Sequence, residues 1–351
     1  MPGINLNVVG LFAGVGGIEL GFQNAGFTPV VANEIDSYAA STYRAMHGTP
    51  LLVASISDIS KPKLEDEMHK QTGAGIKLSG GILTGGFPCQ PFSVAGFRKG
   101  FDDDRGNVFW DIIRLANEIQ PDVIFLENVK NLESHDERRT FGTILSVLRG
   151  QQVSNANSVK LFKEYFVKSK VLNAKDFGIP QNRERIFIVA FKDENAFERF
   201  EFPAAETRKH GLASLSKFID FDSKVDDKYY YKPGSAIYDR LVSEVVEPGT
   251  IYQWRRQYVR ANKSGVSPTL TANMGMGGHN VPIVLSKFGI RKLTPTECFQ
   301  LMGFKNPNFE PGIADSRLYK QAGNAVVVDV IQAVAKNIHK ALSGNNVGGL
   351  S

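Results

Sequence analysis

The chain has 351 residues, 42% of them apolar and 22% charged, which is ample for a buried core and suits one large domain or two unequal ones. Its 41 basic and 36 acidic residues leave a net charge of +5, which fits a polyanionic partner without requiring one. Two cysteines, Cys89 and Cys298, exclude a disulfide framework and a cysteine-based metal site; no signal peptide is read in Met1–Leu11 and no apolar run is long enough to cross a bilayer, so a reduced, cytoplasmic protein without metal is expected.

Val8–Phe12 reads as a strand entering a glycine-rich turn, Ile18–Ala25 as a helix stopped by Gly26, and Pro29–Ala32 as a second strand. Gly81–Thr84 is a further strand, leading into Gly85-Gly86-Phe87-Pro88. Phe109, Ile112, Ile113, Ala116 and Ile119 recur at helical spacing behind Asn107, a residue suited to an N-cap. Val123–Leu126 is a compact strand, Thr140–Leu148 a helix and Arg185–Phe191 a strand, with a polar surface loop over Gly150–Lys160. This alternation predicts an α/β fold with a doubly wound, mostly parallel sheet. From about Lys192 to Arg291 the alternation gives way to short polar and aromatic clusters. Thr294–Met302 then reads as a helix with a capping box between Thr294 and Glu297, and Val326–Leu342 as a closing helix.

Four features carry chemistry. Phe12-Ala13-Gly14-Val15-Gly16-Gly17 lies between a strand and a helix, where glycines let a ligand approach the backbone and the helix N-terminus. Glu34, at the end of the second strand, is placed to accept hydrogen bonds from ribose hydroxyls. The spacing differs from the dinucleotide pattern, and a tight turn beside a solvated glutamate explains it equally simply. Cys89 sits in Pro88-Cys89-Gln90, past a strand end, where a thiol is either a nucleophile or a small packing residue. Its loop continues through Ser93 to Arg105 and is polar enough to close over a substrate. Glu127-Asn128-Val129 offers a carboxyl at another strand end, or else a loop acid. Gln181-Asn182-Arg183-Glu184-Arg185 offers arginines for a base or phosphate, or a surface ion-pair cluster.

In this order the four features resemble the cytosine carbon-5 methyltransferase family over nearly the whole chain. Ser57-Asp58-Ile59, Arg291-Lys292-Leu293-Thr294 with Glu297, and Gln321-Ala322-Gly323-Asn324-Ala325-Val326 are similar to further motifs of that family. The resemblance implies an S-adenosylmethionine-dependent, Rossmann-like catalytic domain over 1–198, a target-recognition domain over 199–290 and a returning segment over 291–351. It makes Cys89 the nucleophile, Glu127 a protonated acid in a dry pocket, Arg183 the holder of the base's carbonyl oxygen and Arg185 a support for the pocket. It implies a donor site at Phe12, Ala13, Gly14, Gly16, Gly17, Glu34, Ile35, Asp58, Ile59, Gly86, Pro88, Asn324 and Val326, with Asp58 on the adenine amino group and Ile59 on its ring face.

DNA contacts are expected from Gln90, Ser93, Arg105, Arg255, Arg256, Gln257, Arg260, Lys263 and Thr269, since basic residues interleaved with Tyr252, Trp254 and Tyr258 suit phosphate and base-edge contacts. The alternative there is a solvated strand pair with aromatic packing. Ala95 stands where relatives help open the base stack, so Gln257 is the candidate to fill the hole left by a flipped cytosine. The expected partner is double-stranded DNA, met by a monomer, with a cognate restriction endonuclease acting on the same site without direct contact. Three readings compete: a transfer-RNA methyltransferase of the same family, disfavoured by the long recognition region and the absence of a Cys-Phe-Thr segment; a catalytically silent DNA- or nucleoside-binding protein on the same fold, disfavoured by Cys89, Glu127 and Arg183 together; and a nucleotide-dependent dehydrogenase, disfavoured by the missing dinucleotide glycine spacing.

Overall fold

The computed structural model describes residues 4–87, 108–151, 163–205, 212–255, 258–262, 264–276 and 280–344. The expectations for Pro88, Cys89, Gln90, Ser93, Ala95, Arg105, Asn107, Arg256, Gln257 and Lys263 fall outside these residues. The chain forms two compact units. One comprises Met1–Leu172, Glu184–Ala204 and Val330–Ser351, the other Asn173–Arg183 and Ala205–Asp329. The expected bounds at 198 and 290 differ from these: residues 291–329 stay with the second unit, and a short stretch before Glu184 joins it.

The first unit is built on a seven-stranded sheet in the order β3-β2-β1-β4-β5-β8-β6. Its elements are β1 (Asn7–Leu11), α1 (Gly17–Asn24), β2 (Thr28–Glu34), α2 (Ser37–Met46), β3 (Leu51–Val53), α3 (Lys61–Thr72), β4 (Ile82–Gly86), α4 (Val108–Ile119), β5 (Val123–Val129), α5 (Arg139–Leu148), β6 (Phe166–Asn173), β8 (Glu184–Phe191), α6 (Glu194–Arg199) and the closing helix α11 (Val328–Leu342). β1 pairs in parallel with both β2 and β4, β2 with β3 and β4 with β5, while β8 runs antiparallel to β5. Strand order therefore reverses between β1 and β4, the switch point where open α/β sheets bind ligands beyond their carboxyl ends.

Both faces of the sheet are covered, so its strands read as continuous apolar runs. On one face Val9, Leu11, Leu83 and Leu126 join Leu64 and Met68 of α3 and Phe109, Ile112, Ile113 and Ala116 of α4. Elsewhere in the core Phe22 meets Phe125 edge-on at 5.1 Å. Gly21 lets α1 lie against α11, because a Cβ there would come within 2.5 Å of Ile331.

The second unit holds a four-stranded antiparallel sheet, β10-β9-β12-β13, from β9 (Ile251–Arg255), β10 (Tyr258–Asn262), β12 (Ile283–Ser286) and β13 (Gly289–Lys292). A separate parallel pair joins β7 (Gln181–Asn182) to β11 (Ser267–Pro268). Short helices α7 (Leu212–Leu215) and α8 (Ala236–Leu241) precede the sheet; α9 (Pro295–Gln300) and α10 (Asp315–Asn324) follow it. The helix expected over Thr294–Met302 is the shorter α9, and its capping box between Thr294 and Glu297 is present. Arg291, fully buried, forms a two-pronged ion pair with Glu297 at 2.8 and 2.7 Å. The same carboxylate accepts from the backbone N–H of Thr294 and of Asp220, so its charge is met on every side.

Candidate active site

The switch-point end of the first unit collects the Phe12–Gly17 turn and Glu34. Phe12 and Gly14 adopt left-handed backbone, φ +54° and +56°, and Gly16 follows at +84° as the N-cap of α1. Only Gly takes such angles without strain, so Phe12 is held there by its neighbours. The Ala13 N–H donates to the Asn33 carbonyl at 2.9 Å, and the Gly16 N–H to the Ala13 carbonyl at 2.8 Å. The Gly14 N–H donates to Glu34 Oε2 at 2.7 Å, while Glu34 Oε1 accepts from the N–H groups of Ile35 and Asp36 at 2.8 and 2.7 Å. The carboxylate is thus fixed by three backbone donors, and Oε2 keeps acceptor capacity for one more. The space around a Cβ at Gly14 is open to 4 Å.

Ile35 is 65% exposed beside this carboxylate, whereas Ile59 is 1% exposed and part of the core with Ile56. The expected contact of Ile59 with a ring face is corrected accordingly: its side chain is consumed by packing, and Ile35 presents the apolar surface. Asp58 is exposed at the end of a short turn, Ile56–Asp58, whose Ile56 carbonyl is held by Arg114 of α4 at 2.9 Å.

At the next strand ends, Gly86 of β4 stands opposite Glu127 of β5 in register, and a Cβ on Gly86 would lie 3.4 Å from Glu127 Oε2. Arg185 of β8 approaches the same carboxylate, Nε to Oε1 at 3.1 Å. Glu127 is 7% exposed. Burial lowers the pKa of the Arg185 guanidinium and the charge of Glu127 opposes that shift. Glu127 is thus buried with an opposite charge beside it. Asn128, 3% exposed, donates from Nδ2 to the Phe87 carbonyl at 2.9 Å, fastening the last described residue before Pro88 and Cys89. Nothing in the sequence marks Asn128 for that task, since its partner is 41 residues away.

In the second unit Arg183 departs from its expected role. Its guanidinium is 3% exposed and donates to three backbone carbonyls, Leu270 at 2.7 Å, Gly323 at 3.1 Å and Ala325 at 2.6 Å. An arginine so committed braces the Thr269-Leu270 segment against the turn after α10 and does not reach for a base. Arg185, in the first unit, approaches Glu127 instead. Gln181 works beside Arg183: its side-chain amide donates to the Leu301 carbonyl and accepts from the Leu270 N–H. The Thr269 hydroxyl, expected on DNA, donates to the Asn182 carbonyl at 2.6 Å. Gly323 lets α10 dock, because a Cβ there would stand 2.1 Å from the Thr271 backbone. Asn324 is exposed at the end of α10, and Val326 is nearly buried.

The β9–β10 hairpin alternates cleanly. Tyr252, Trp254, Val259 and Ala261 belong to or pack against the cluster of Leu241, Val245, Ile283 and Ile290. The opposite face carries Gln253 paired with Arg260 and Arg255 paired with Tyr258. Tyr258 is 61% exposed and Arg260 is exposed. Tyr252 and Trp254 are therefore packing residues, and the hairpin's polar face is basic.

C-5 cytosine-specific DNA methylases match this chain over residues 6–340. The chain belongs to that family. As a member it is an enzyme that methylates DNA at carbon 5 of cytosine. It is 47% identical to the Type II methyltransferase M.Bsp6I of Bacillus sp. (strain RFL6), over 96% of this chain and 99% of that one. It is 32% identical to M.HhaI of Haemophilus parahaemolyticus, over 96% and 95% of the two chains. Among solved structures, the Entamoeba histolytica methyltransferase EhMeth superposes with a TM-score of 0.66 at 18% identity, covering 95% and 98% of the chains. The Dnmt2 methyltransferase of S. pombe does so at 0.65 and 18%, a likeness of fold. Among the described residues no helix is long and apolar enough to cross a membrane, and no cluster suited to a metal ion occurs.

Proposed function

We propose that this methyltransferase reads a specific duplex sequence, as part of a restriction–modification system, with S-adenosylmethionine as donor and Cys89 as nucleophile. The observation that carries the reading is the convergence of Gly86, Glu127 and Arg185 at adjoining strand ends, three residues before Cys89. The donor fits the first unit: Glu34 is a pre-aligned acceptor for a ribose hydroxyl, Ile35 an apolar face for adenine, and the open space at Gly14 an approach to the backbone. When bound, that donor supplies an electrophilic methyl group.

The protein's own residues do the rest. The thiolate of Cys89 adds to carbon 6 of a cytosine flipped from the stack, and the electrons of the 5,6 double bond load carbon 5 and the ring-nitrogen side. Glu127 protonates ring nitrogen 3, and Arg185 bonds the carbonyl oxygen, each stabilising charge as it develops. After carbon 5 gains the methyl group, a base removes its hydrogen, and the returning electrons restore the double bond and expel the Cys89 thiolate. Arg255 and Arg260 face DNA from the hairpin. The enzyme is a monomer whose partner nuclease acts on the same site independently.

A duplex carrying 5-fluorocytosine at the target retains fluorine where hydrogen must leave, so the wild-type enzyme is expected to stay covalently bound. Cys89→Ser is expected to form no such complex and to lose activity while binding the donor normally. Methylation by the serine variant at a comparable rate would overturn the assignment.

A further inference from the structure

The loop that we read as the donor site is held from two sides, and one of them has no part in the chemistry above. Glu34 takes the Gly14 N–H from the side of β2. His47, one residue beyond α2, bonds the Val15 carbonyl through Nε2 at 2.9 Å. A carbonyl only accepts, so this nitrogen carries the proton and the tautomer is set. The His47 ring also lies directly beneath the next residue: a Cβ built on Gly16 would fall 2.2 Å from Nε2 and 2.9 Å from the Tyr43 ring. Tyr43, fully buried in α2, backs the imidazole at 4.6 Å between ring centres. His47 is fixed at its own end by its N–H on the Tyr43 carbonyl at 2.8 Å.

We propose that His47 is a positioning residue for the donor: its imidazole sets the height and tilt of the Val15-Gly16 peptide, and with it the left-handed turn that opens α1 to the ligand. Three observations converge on this. The loop carries left-handed angles at Phe12, Gly14 and Gly16, so its shape depends on outside support. The N-cap of α1 is Gly16, which has no side chain to cap the helix, so besides the Gly16-to-Ala13 backbone bond the turn leans on its neighbours. The absence of a Cβ at Gly16 is filled by the His47 ring rather than by solvent. Losing the bond leaves a carbonyl unpaired on its protein side and frees the turn to rotate.

The inference rests on reading Phe12–Gly17 as the donor loop, and the experiment separates the two. His47→Phe keeps a ring against Tyr43 and removes the donor; His47→Gln restores an N–H near the position of Nε2. Calorimetry with S-adenosylmethionine should show about tenfold weaker binding for His47→Phe and binding within about threefold of wild type for His47→Gln. The KM for the donor should rise in step while kcat changes little, and duplex affinity without donor should be unchanged. Should His47→Phe fail to fold, Gly16→Ala alone and with His47→Ala gives a second route. The single variant should lose donor binding and the double should recover part of it, because the tightest clash is with the removed ring while the Tyr43 contact and the positive φ of Gly16 remain. Equal affinity in His47→Phe and wild type, or equal loss in the Gln and Phe variants, overturns the proposal. Glu34→Ala serves as the gauge. If it weakens donor binding and His47→Phe does not, the inference alone falls; if neither does, the loop is not the donor site.

Discussion

Glu19 is a carboxyl group in α1 with no place for a charge. It is 2% exposed, and neither oxygen finds a hydrogen-bond partner among the described residues. Its room comes from Gly10, where a Cβ would collide with it. Burial raises its pKa to about 8, and the charge of Glu34 adds to the shift. The folded protein therefore holds a proton that the unfolded chain releases near pH 4.5, and stability falls as pH rises between those values before levelling off. Glu19→Gln should remove that slope. Its melting temperature should match wild type near pH 5 and exceed it by several degrees near pH 8.5, and parallel melting curves across the range would show the proton to be misplaced. Asp136, Glu137 and Arg138 present a different strain, three successive left-handed residues at φ +48°, +54° and +70° before α5. Each costs about 1–2 kcal/mol in that region. The exposed 3.7 Å contact of Arg138 with Glu133 returns little. Arg138→Gly relieves the strain and loosens the unfolded chain by about 0.4–1 kcal/mol, so a net gain of about 0.5–1 kcal/mol is expected in urea titration. Glu127 and Arg185 were legible in the sequence because they stand in short motifs at strand ends. The bracing contacts of Arg183 were not, since they reach carbonyls 87 to 142 residues away.

The elements themselves were legible where burial is two-sided. β1, β4, β5 and β8 are continuous apolar runs, and α4 buries a full stripe of Phe109, Ile112, Ile113, Ala116 and Ile119. The missed elements lack that signal. α3 fully buries only Leu64 and Met68 of twelve residues, and β6, at the sheet's edge, carries Lys168 and Lys170. α2 is declared by its cap, Asp36 accepting from the N–H groups of Tyr38 and Ala39, rather than by hydrophobic periodicity. The hairpin of β9 and β10 yields the element-scale prediction. One face packs and the other, exposed and basic, is the one proposed above to meet DNA, so Arg260→Ala and Trp254→Ala should fail differently. The first should relax preference among substituted sites by about 1–3 kcal/mol of discrimination, read from competing methylation rates, with stability unchanged. The second should lower stability by about 1–3 kcal/mol and leave the order of preferred sites intact. A Trp254→Ala protein of normal stability with altered preference would reverse the assignment of the faces.

At the scale of the molecule, the second unit is assembled from two pieces of chain, and the shorter lends it side chains out of proportion to its length. Gln181 and Arg183 of Asn173–Arg183 between them hold Leu270, Leu301, Gly323 and Ala325 of the longer piece. A fragment spanning 205–329 should therefore lack a cooperative thermal transition, and one with residues 173–183 joined ahead of it should regain it; cooperative melting of the shorter fragment would show those side chains to be dispensable. The expected division at 198 and 290 followed sequence texture, which registers where alternation stops but not where a later segment packs. The Arg291–Glu297 pair in this unit has a consequence for the laboratory bench. Both charges are withdrawn from water, so dissolved ions cannot reach between them, and adding salt should leave this pair intact while it screens the exposed Lys224–Asp227 and Lys228–Asp315 pairs of the same unit. The grip of surface arginines on phosphates weakens steeply under the same addition. In a potassium chloride titration of this enzyme the buried pair should therefore stay closed over a range in which phosphate contacts are already lost.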